Sequence, residues 1–562
     1  MGASPLQMKG SRRRHWAWDT GAALAVLLLP LVIFFRHNDY PLASVEFVLA
    51  CLPVLVFAVF AGIIMGQGRW AKIAMVTFIL ILLVDIQTSW LTTINLRLGL
   101  CVLFFGGASW FLKRRLSLVI NIVFGAMILG TIVQPPGKVV RFSESEIPTG
   151  AQEQPFLLHI ILDEYAAPEA LDQTFDVEGE VAAEISRFFT TNGFRLYSRA
   201  YSRLVNTAES IPAILNPGLP TTANEYWPQG WAKGRLLKSN AWFKRLENLG
   251  YGLHVVQSDF LRYLDQNSAE DWPARTVLTH YTAESIHALA GTSLSAAEKL
   301  SHILGAYCRL SWLLSMGRDV YTDFRLRFGE EMPGLSDWDR ADGLVSPLTS
   351  MEVGERMVSD LKSVQAGQAV VAHLLLPHFP YAFKADCSLA PMGRKWLNSY
   401  AKEAYPARNT LASRADRYPH YLAQIRCTNL LLSNMFDALR EAGVWDNAII
   451  VLHGDHGSRL NLSNPLPETR DQMSNSDFAE AFGTLLAIKL PGEPGLVDRS
   501  QVALDDFFEQ VFLRENASWP PPSYEPDPKA LAEPWIILTN RQDSLIKVPL
   551  PEFANGGAKT SQ

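Results

Sequence analysis

Three segments of this 562-residue chain deliver acidic and histidine side chains directly from apolar runs of strand length. Pro155 to Leu162 leads into Asp163-Glu164, and Ala369 to Leu376 leads into Pro377-His378. Ala448 to Leu452 leads into His453-Gly454-Asp455-His456-Gly457-Ser458-Arg459. Carboxylate oxygens and imidazole nitrogens at strand ends are the donors of a metal site, and the flanking glycines let the backbone turn sharply.

A fourth segment, Asn206-Thr207-Ala208-Glu209-Ser210, opens a helical pattern. A hydroxyl there would lie near backbone N–H groups and a positive helix end, a favourable place for an anion. A nearby cation would lower the pKa of Thr207 and make an alkoxide available to attack phosphorus. The same position also suits an ordinary N-cap threonine. His378 reads either as a satisfied turn residue or as the group that holds a phosphoryl oxygen or protonates a departing alcohol. Arg459 reads as a surface residue or as a guanidinium fork for phosphate oxygens. His373 and His453 read as structural residues behind the ligands. Asp416 and His420 have ligand-like spacing, but they start a long amphipathic helix where Arg417 and Tyr418 indicate a surface turn.

These segments need a scaffold that brings strand ends together. Further apolar runs at Gly252 to Val256, Leu485 to Leu490 and Trp535 to Leu538 alternate with helical stretches. That alternation predicts a largely parallel sheet between helices, with reactive groups just beyond the carboxyl ends of the strands.

Before residue 137 the composition changes. Apolar stretches at Trp18 to Phe35, Val45 to Gly66, Ile73 to Trp90, Leu98 to Leu112 and Leu116 to Val133 approach the ~20 residues that a helix needs to cross a bilayer. Arg12, Arg13 and Arg14 precede the first, Arg69 and Lys72 separate the second and third, and Lys113, Arg114 and Arg115 separate the fourth and fifth. By the positive-inside bias these loops are cytoplasmic, and five spans then place everything after Val133 outside. Trp16, Trp18, Trp70, Trp90 and Trp110 sit at span ends, as interfacial indoles do. Asp85 lies inside the third span, where a carboxylate is costly unless it faces a cavity or a partner; it reads as a contact to a lipid headgroup or, near the span end, as a group that reaches interfacial water.

The expected organisation is a transmembrane domain over 1–136, a linker over 137–154 opened by Pro135-Pro136-Gly137, and a soluble domain over 155–562. The stretch Ala283 to Gly329, with its apolar patch Leu310 to Leu314, is expected as a helical insertion over about 283–330. It reads either as a core helix or as a segment that rests on the membrane. A net charge of −6 offers no basic stripe for phosphates along a duplex, so nucleic acid is not an expected partner. Of five cysteines, Cys51 and Cys101 fall in apolar runs, while Cys387 and Cys427 read as a pair or as two free thiols.

Together these segments resemble the alkaline phosphatase superfamily, in particular its membrane-anchored sulfatase-like branch of lipoteichoic acid synthases and phosphoethanolamine transferases. Ile160 to Glu164 looks like the family's first metal-binding strand, His453 to Gly457 like its Asp-His-Gly motif, and Asn206 to Leu215 like the loop and helix start that carry its nucleophile. Ala372 to Tyr381 is similar to the strand ending in a substrate-binding histidine. The resemblance covers roughly Phe156 to Gly492 and implies an α/β/α sandwich behind a bundle of five transmembrane helices.

It further implies one divalent metal held by Asp163, Thr207, Asp455 and His456, with Glu164 as an added ligand or a carboxylate behind them. Mixed oxygen and imidazole donors suit zinc or manganese, and magnesium less well. By the same resemblance Thr207 is the nucleophile, and Asn206, His378 and Arg459 face the substrate. The implied reaction moves a phosphoethanolamine or phosphoglycerol headgroup from a membrane phospholipid, through Thr207, to an envelope glycan or lipid. The implied location is a bacterial inner membrane with the catalytic domain in the periplasm. A hydrolase of the same fold and a non-catalytic envelope-assembly protein are the alternatives.

Two departures shape this reading. Ser210-Ile211-Pro212-Ala213-Ile214 lacks the arginine of the sulfatase nucleophile sequence, which argues against sulfate-ester hydrolysis. No histidine follows His456, although two-metal phosphatases need one there, which favours a single metal.

Overall fold

The computed structural model describes residues 5–88, 96–112, 115–133, 154–216, 236–237, 239–266, 268–283, 285–316, 345–390, 408–514, 518–521, 534–539 and 545–553. The chain divides into two compact units, Met1–Val139 with Glu284–Val345, and Val140–Ala283 with Ser346–Gln562.

The first unit begins with helices α1 (Pro5–His37), α2 (Val45–Met65), α3 (Arg69–Thr88), α4 (Leu96–Leu112) and α5 (Leu116–Val133). Four helical stretches, Trp16–His37, Val45–Met65, Arg69–Thr88 and Leu116–Val133, are long and apolar enough to cross a membrane. The 17-residue α4 is apolar but shorter, so among the described residues four helices reach membrane length where five spans are expected. Inside the unit, Lys72 Nζ lies 2.6 Å from Asp19 Oδ1, which also accepts from Ser117 Oγ at 2.5 Å.

The segment 285–316 groups with these helices. Its helix, Ala296–Arg309, is opened by a capping box between Ser295 and Glu298 and packs against α2. Phe34 and Tyr307 meet edge to face at 5.2 Å, and Trp312 and Leu313 pack on Ile81 and Cys101. Asp85 is fully buried here, and its Oδ2 accepts from Ser311 Oγ at 2.5 Å and Leu313 N at 2.9 Å. It therefore meets protein partners and not the interfacial water or lipid headgroup expected of a carboxylate near a span end. Residues 317–330 of the expected insertion, Trp90, Lys113, Arg114 and all but the last residue of the expected linker lie outside the described residues.

The second unit is built on an eight-stranded sheet. Its strands are β1 (Leu157–Leu162), β2 (Arg195–Tyr197), β3 (Gly252–Ser258), β4 (Thr276–Tyr281), β5 (Gln368–Leu374), β6 (Ile449–Gly454), β7 (Leu486–Lys489) and β8 (Leu496–Asp498). The spatial order is β4-β3-β5-β1-β6-β7-β2-β8. Strands β4, β3, β5, β1 and β6 run parallel, and β7 is antiparallel to β6 and β2. Every residue of β1, β3, β5 and β6 is buried, which is why these strands read as continuous apolar runs.

In the parallel register Leu162 aligns with Leu374 of β5 and Gly454 of β6, so the chemistry-bearing segments leave the sheet at one edge. Trp535 to Leu538, expected in this sheet, instead forms a separate antiparallel ribbon of β9 (Trp535–Thr539) and β10 (Leu545–Pro549).

Five further helices matter for the site: Glu180–Thr191, Thr207–Leu215, Ala241–Asn248, Leu411–Glu441 and Asn475–Phe482. The 31-residue helix Leu411–Glu441 corrects one expectation. Arg417 and Tyr418 are buried in it rather than on a surface turn, because the Tyr418 hydroxyl accepts from Asp172 N at 2.7 Å and its ring stacks on Phe175. Cys387 and Cys427 are joined by a disulfide.

Candidate functional site

Asp163 and Glu164 leave the end of β1 fully buried. Glu164 adopts φ +64°, a left-handed conformation that strains a residue with a Cβ. It is held there from both sides: Asp455 Oδ1 accepts from Glu164 N at 3.1 Å, and the Tyr421 hydroxyl donates to the Glu164 carbonyl at 2.7 Å. The strain turns consecutive carboxylates in different directions.

Asp163, Asp455 and His456 form one group with donor atoms within 4.8 Å of one another, and Asp163, Glu164 and His378 form a second. His456 Nε2 lies 3.3 Å from Asp455 Oδ2 and 3.8 Å from Asp163 Oδ1. Its Nδ1 is 2.8 Å from the Gly457 carbonyl. A carbonyl can only accept, so the proton sits on Nδ1 and the Nε2 lone pair faces the carboxylates, as a metal ligand requires.

Thr207 is the first residue of its helix, with Asn206 as N-cap. The threonine is therefore not the cap itself. Its hydroxyl points at the cluster instead, 3.3 Å from Asp163 Oδ2 and 3.5 Å from His456 Nε2. Asn206 Nδ2 donates to Glu209 Oε2 at 3.0 Å, so its side chain turns along the helix start.

Glu164 faces Arg459 and His378. Arg459 Nε lies 2.6 Å from Glu164 Oε1 in an ion pair. Arg459 Nη2 also comes within 3.2 Å of His456 Nε2. His378 Nε2 is 3.6 Å from Glu164 Oε1, and its Nδ1 is held at 2.5 Å by the Phe379 carbonyl. Gln424 supports this loop, donating to the Pro377 and His378 carbonyls and accepting from Ala382 N and Phe383 N.

His373 is nearer the centre than its sequence position suggests. Nε2 lies 3.5 Å from Asp163 Oδ2, and neither ring nitrogen has a hydrogen-bond partner among the described residues. His453 points away from the ligands. Its Nε2 is 2.8 Å from His159 Nε2, and Trp242 Nε1 donates to His159 Nδ1 at 3.1 Å.

The electrostatics show what the cluster lacks. Burial and the Asp455 charge push Asp163 well above the usual carboxylate range. Burial raises Glu164 too, against Arg459. Burial acts upward on Asp455 as well, but His456 and His373 outweigh it and leave this carboxyl lowered. Burial depresses His373 and His456 to about 4, so the imidazoles are neutral near pH 7. The facing guanidinium, Arg459, is engaged with Glu164.

Asp163 Oδ1 and Asp455 Oδ2 are buried and accept no hydrogen bond among the described residues. Two buried carboxylates with open lone pairs, beside a neutral imidazole turned toward them, fit a divalent cation. The residues that would hold it are Asp163, Asp455 and His456, with the Thr207 oxygen beside them.

A sulfatase family model matches residues 155–482. No curated protein sequence matches the chain. Similar solved structures include the phosphonate monoester hydrolase of Agrobacterium radiobacter, at 14% identity over 63% of this chain and 72% of that one, with a TM-score of 0.36. The C-terminal periplasmic domain of EcEptC from Escherichia coli, in complex with Zn, is similar at 10% identity over 74% of this chain and 98% of that one, with a TM-score of 0.39. The lipoteichoic acid synthase LtaP from Listeria monocytogenes is similar at 12% identity over 64% and 71%, with a TM-score of 0.31.

Proposed function

Because this chain belongs to the sulfatase family, we propose that it is a metal-dependent transferase that moves a phosphoryl-linked headgroup from a membrane phospholipid to an envelope glycan or lipid. The observation that carries this reading is the Thr207 hydroxyl, buried at a helix start and 3.3 Å from an incompletely compensated carboxylate cluster. The membrane-length helices of the same chain support a lipid donor, because covalent attachment keeps the site at a membrane without extracting the lipid.

Asp163, Asp455 and His456 would hold a divalent cation, zinc or manganese by its donors, which when bound would supply positive charge beside the Thr207 hydroxyl and lower its pKa. Thr207 gives its proton to Asp163 Oδ2, the acceptor that it already faces, and its oxygen forms a bond to phosphorus. The bond from phosphorus to the diacylglycerol oxygen breaks, and His378, entering the cycle as the imidazolium beside Glu164, protonates the departing oxygen. In the second step neutral His378 takes the proton of an acceptor hydroxyl as that oxygen bonds to phosphorus, the bond from phosphorus to the Thr207 oxygen breaks, and Thr207 takes its proton back from Asp163, which restores the starting state. Arg459 and Asn206 hold the phosphoryl oxygens during both steps.

The test is to incubate the full chain with labelled phosphatidylethanolamine or phosphatidylglycerol, then measure the intact mass and the fate of the label. A headgroup-sized mass on Thr207, absent in Thr207→Ala, together with label on a glycan or lipid acceptor supports the proposal. Label released only as free headgroup across the acceptors tried would make the protein a hydrolase.

A further inference from the structure

The core behind the centre holds an unbroken line of hydrogen bonds. Trp242 Nε1 lies 3.1 Å from His159 Nδ1, His159 Nε2 lies 2.8 Å from His453 Nε2, and His453 Nδ1 lies 2.6 Å from the Gly454 carbonyl. His453 aligns with Ile161, two residues on from His159, so both imidazoles leave the same face of the sheet. All three side chains are fully buried, and the buried ring of Phe508 packs on both imidazoles at 5.3 and 5.2 Å between centroids.

The direction of every bond is set from the two ends. An indole N–H can only donate, so His159 Nδ1 is bare. Burial and the facing His453 hold His159 well below its ordinary range, which keeps the ring neutral and puts its one proton on Nε2. A backbone carbonyl can only accept, so the proton of His453 sits on Nδ1 and its Nε2 is bare. The Nε2–H of His159 therefore meets a lone pair, and the two requirements agree. Reversing one ring would set proton against proton or lone pair against lone pair, and a buried polar group without a partner is costly.

This line ends at the peptide that carries Asp455. Gly454 has no side chain to limit its rotation, and a Cβ there would lie 2.7 Å from the Tyr165 carbonyl oxygen. External bonds must therefore fix it: its N–H goes to the Leu485 carbonyl at 3.0 Å, and its carbonyl goes to His453. A peptide unit is planar, so holding the Gly454 carbonyl also sets the N–Cα direction of Asp455. Asp455 Oδ1 then accepts from Glu164 N and His456 N, and Oδ2 is left for the cation.

The other end reaches the helix of Thr207. Asn216 is the C-cap of that helix, and its Nδ2 donates to the Pro212 carbonyl at 2.9 Å. Its Oδ1 accepts at 3.1 Å from Ala241 N, at the start of the helix that bears Trp242. We propose that Trp242, His159 and His453 are positioning residues, which orient Asp455 for the cation and tie it to the helix that begins at Thr207. The proposal rests on the reading of Asp163, Asp455 and His456 as a cation site, and not on the transferase reaction.

The experiment uses the full chain in lipid bilayers, with zinc as the probe. Solid-state NMR of protein labelled with 15N-histidine should show one ring protonated on Nε2 and its partner protonated on Nδ1. A coupling between the two Nε2 atoms across the shared proton identifies the pair in the wild type. The opposite tautomers, or an imidazolium at either ring, would overturn the proposal. These spectra need no substitution, so the proposal can fail even where a variant does not fold.

Zinc affinity is then measured by chelator competition in Trp242→Phe, His159→Phe and the double variant, with melting temperatures alongside. Each single variant should bind zinc about 10-fold more weakly. The double variant should bind no more weakly than His159→Phe, because Trp242 acts through His159, whereas independent effects would multiply. Lower melting temperatures with unchanged zinc affinity, or effects that multiply, would show packing alone and sink the positioning role. A wild type that binds no zinc would overturn the cation reading and this proposal with it.

Discussion

Replacing Gly457 with alanine should disable the centre without touching a ligand. A Cβ built on Gly457 would lie 2.9 Å from the carbonyl carbons of both Glu480 and Ala481, and closer still to the Glu480 carbonyl oxygen. These are backbone atoms of the helix Asn475–Phe482, so no side chain can swing aside. The loop cannot simply retreat either, because Gly457 N is bonded to the Ala481 carbonyl at 3.1 Å. Relieving the carbon contacts alone, from 2.9 Å to the ordinary 3.4 Å, requires at least 0.5 Å, and the oxygen contact requires more.

His456 must move with its neighbour, because its Nδ1 is tied to the Gly457 carbonyl. A misplacement on the order of 1 Å costs about 10²-fold in rate, and overpacking costs about 1–3 kcal/mol. The assay compares Gly457→Ala with wild type in circular dichroism, in bound zinc or manganese by elemental analysis, and in single-turnover labelling of Thr207. Gly291→Ala serves as control, since nothing lies within 4 Å of its added Cβ. The expected result is a folded variant that loses most of its metal and about 99% of its labelling rate. Full metal content with wild-type labelling would refute the assignment of His456 and the Gly457 packing argument together.

Other perturbations test separate parts of the chain. Chelation should lower the melting temperature of the wild type by a few degrees, since a cation present at 100 times its Kd stabilises by about 2.7 kcal/mol; superimposable melting curves would contradict a metal at Asp163, Asp455 and His456. Burial lowers His254 from 6.5 to about 4, so the folded chain favours the neutral ring. Its contribution is fully present above pH 6.5 and is lost as the pH falls through about 4, a span worth roughly 3 kcal/mol. His254→Gln should therefore flatten the stability curve over that window in denaturant titrations, and an unchanged slope would exclude the assignment. Asp85→Ala should weaken the attachment of Ser311 and Leu313 by about 1–3 kcal/mol and expose 296–316 to protease, and unchanged cleavage would count against that contact.

The parts of the fold legible in the sequence are those whose cause is local. A strand covered on both faces has nowhere to place a polar residue, so β1, β5 and β6 announce themselves as apolar runs, and the reactive groups follow where each run stops. The three-residue strands β2 and β8 are too short to carry a pattern, and β4 is only partly buried. Trp535 to Leu538 has the same composition as a sheet strand, but it pairs with Leu545–Pro549 instead, a choice made by partners and not by the run itself.

The site divides along the same line. Donor types and their strand-end positions were readable, but the direction in which each side chain turns depends on residues far away in the chain. His373 and His453 both align with Ile161 of β1, yet one reaches Asp163 and the other pairs with His159, 294 residues away. Their sequence neighbourhoods could not separate them. Glu164 shows why. Its left-handed backbone is maintained by a tyrosine hydroxyl 257 residues on and a carboxylate 291 residues on. Without those two bonds the conformation would relax, and Glu164 would no longer be held toward Arg459 and His378. The strain is therefore evidence that the surrounding packing, more than the motif, decides which way each carboxylate turns.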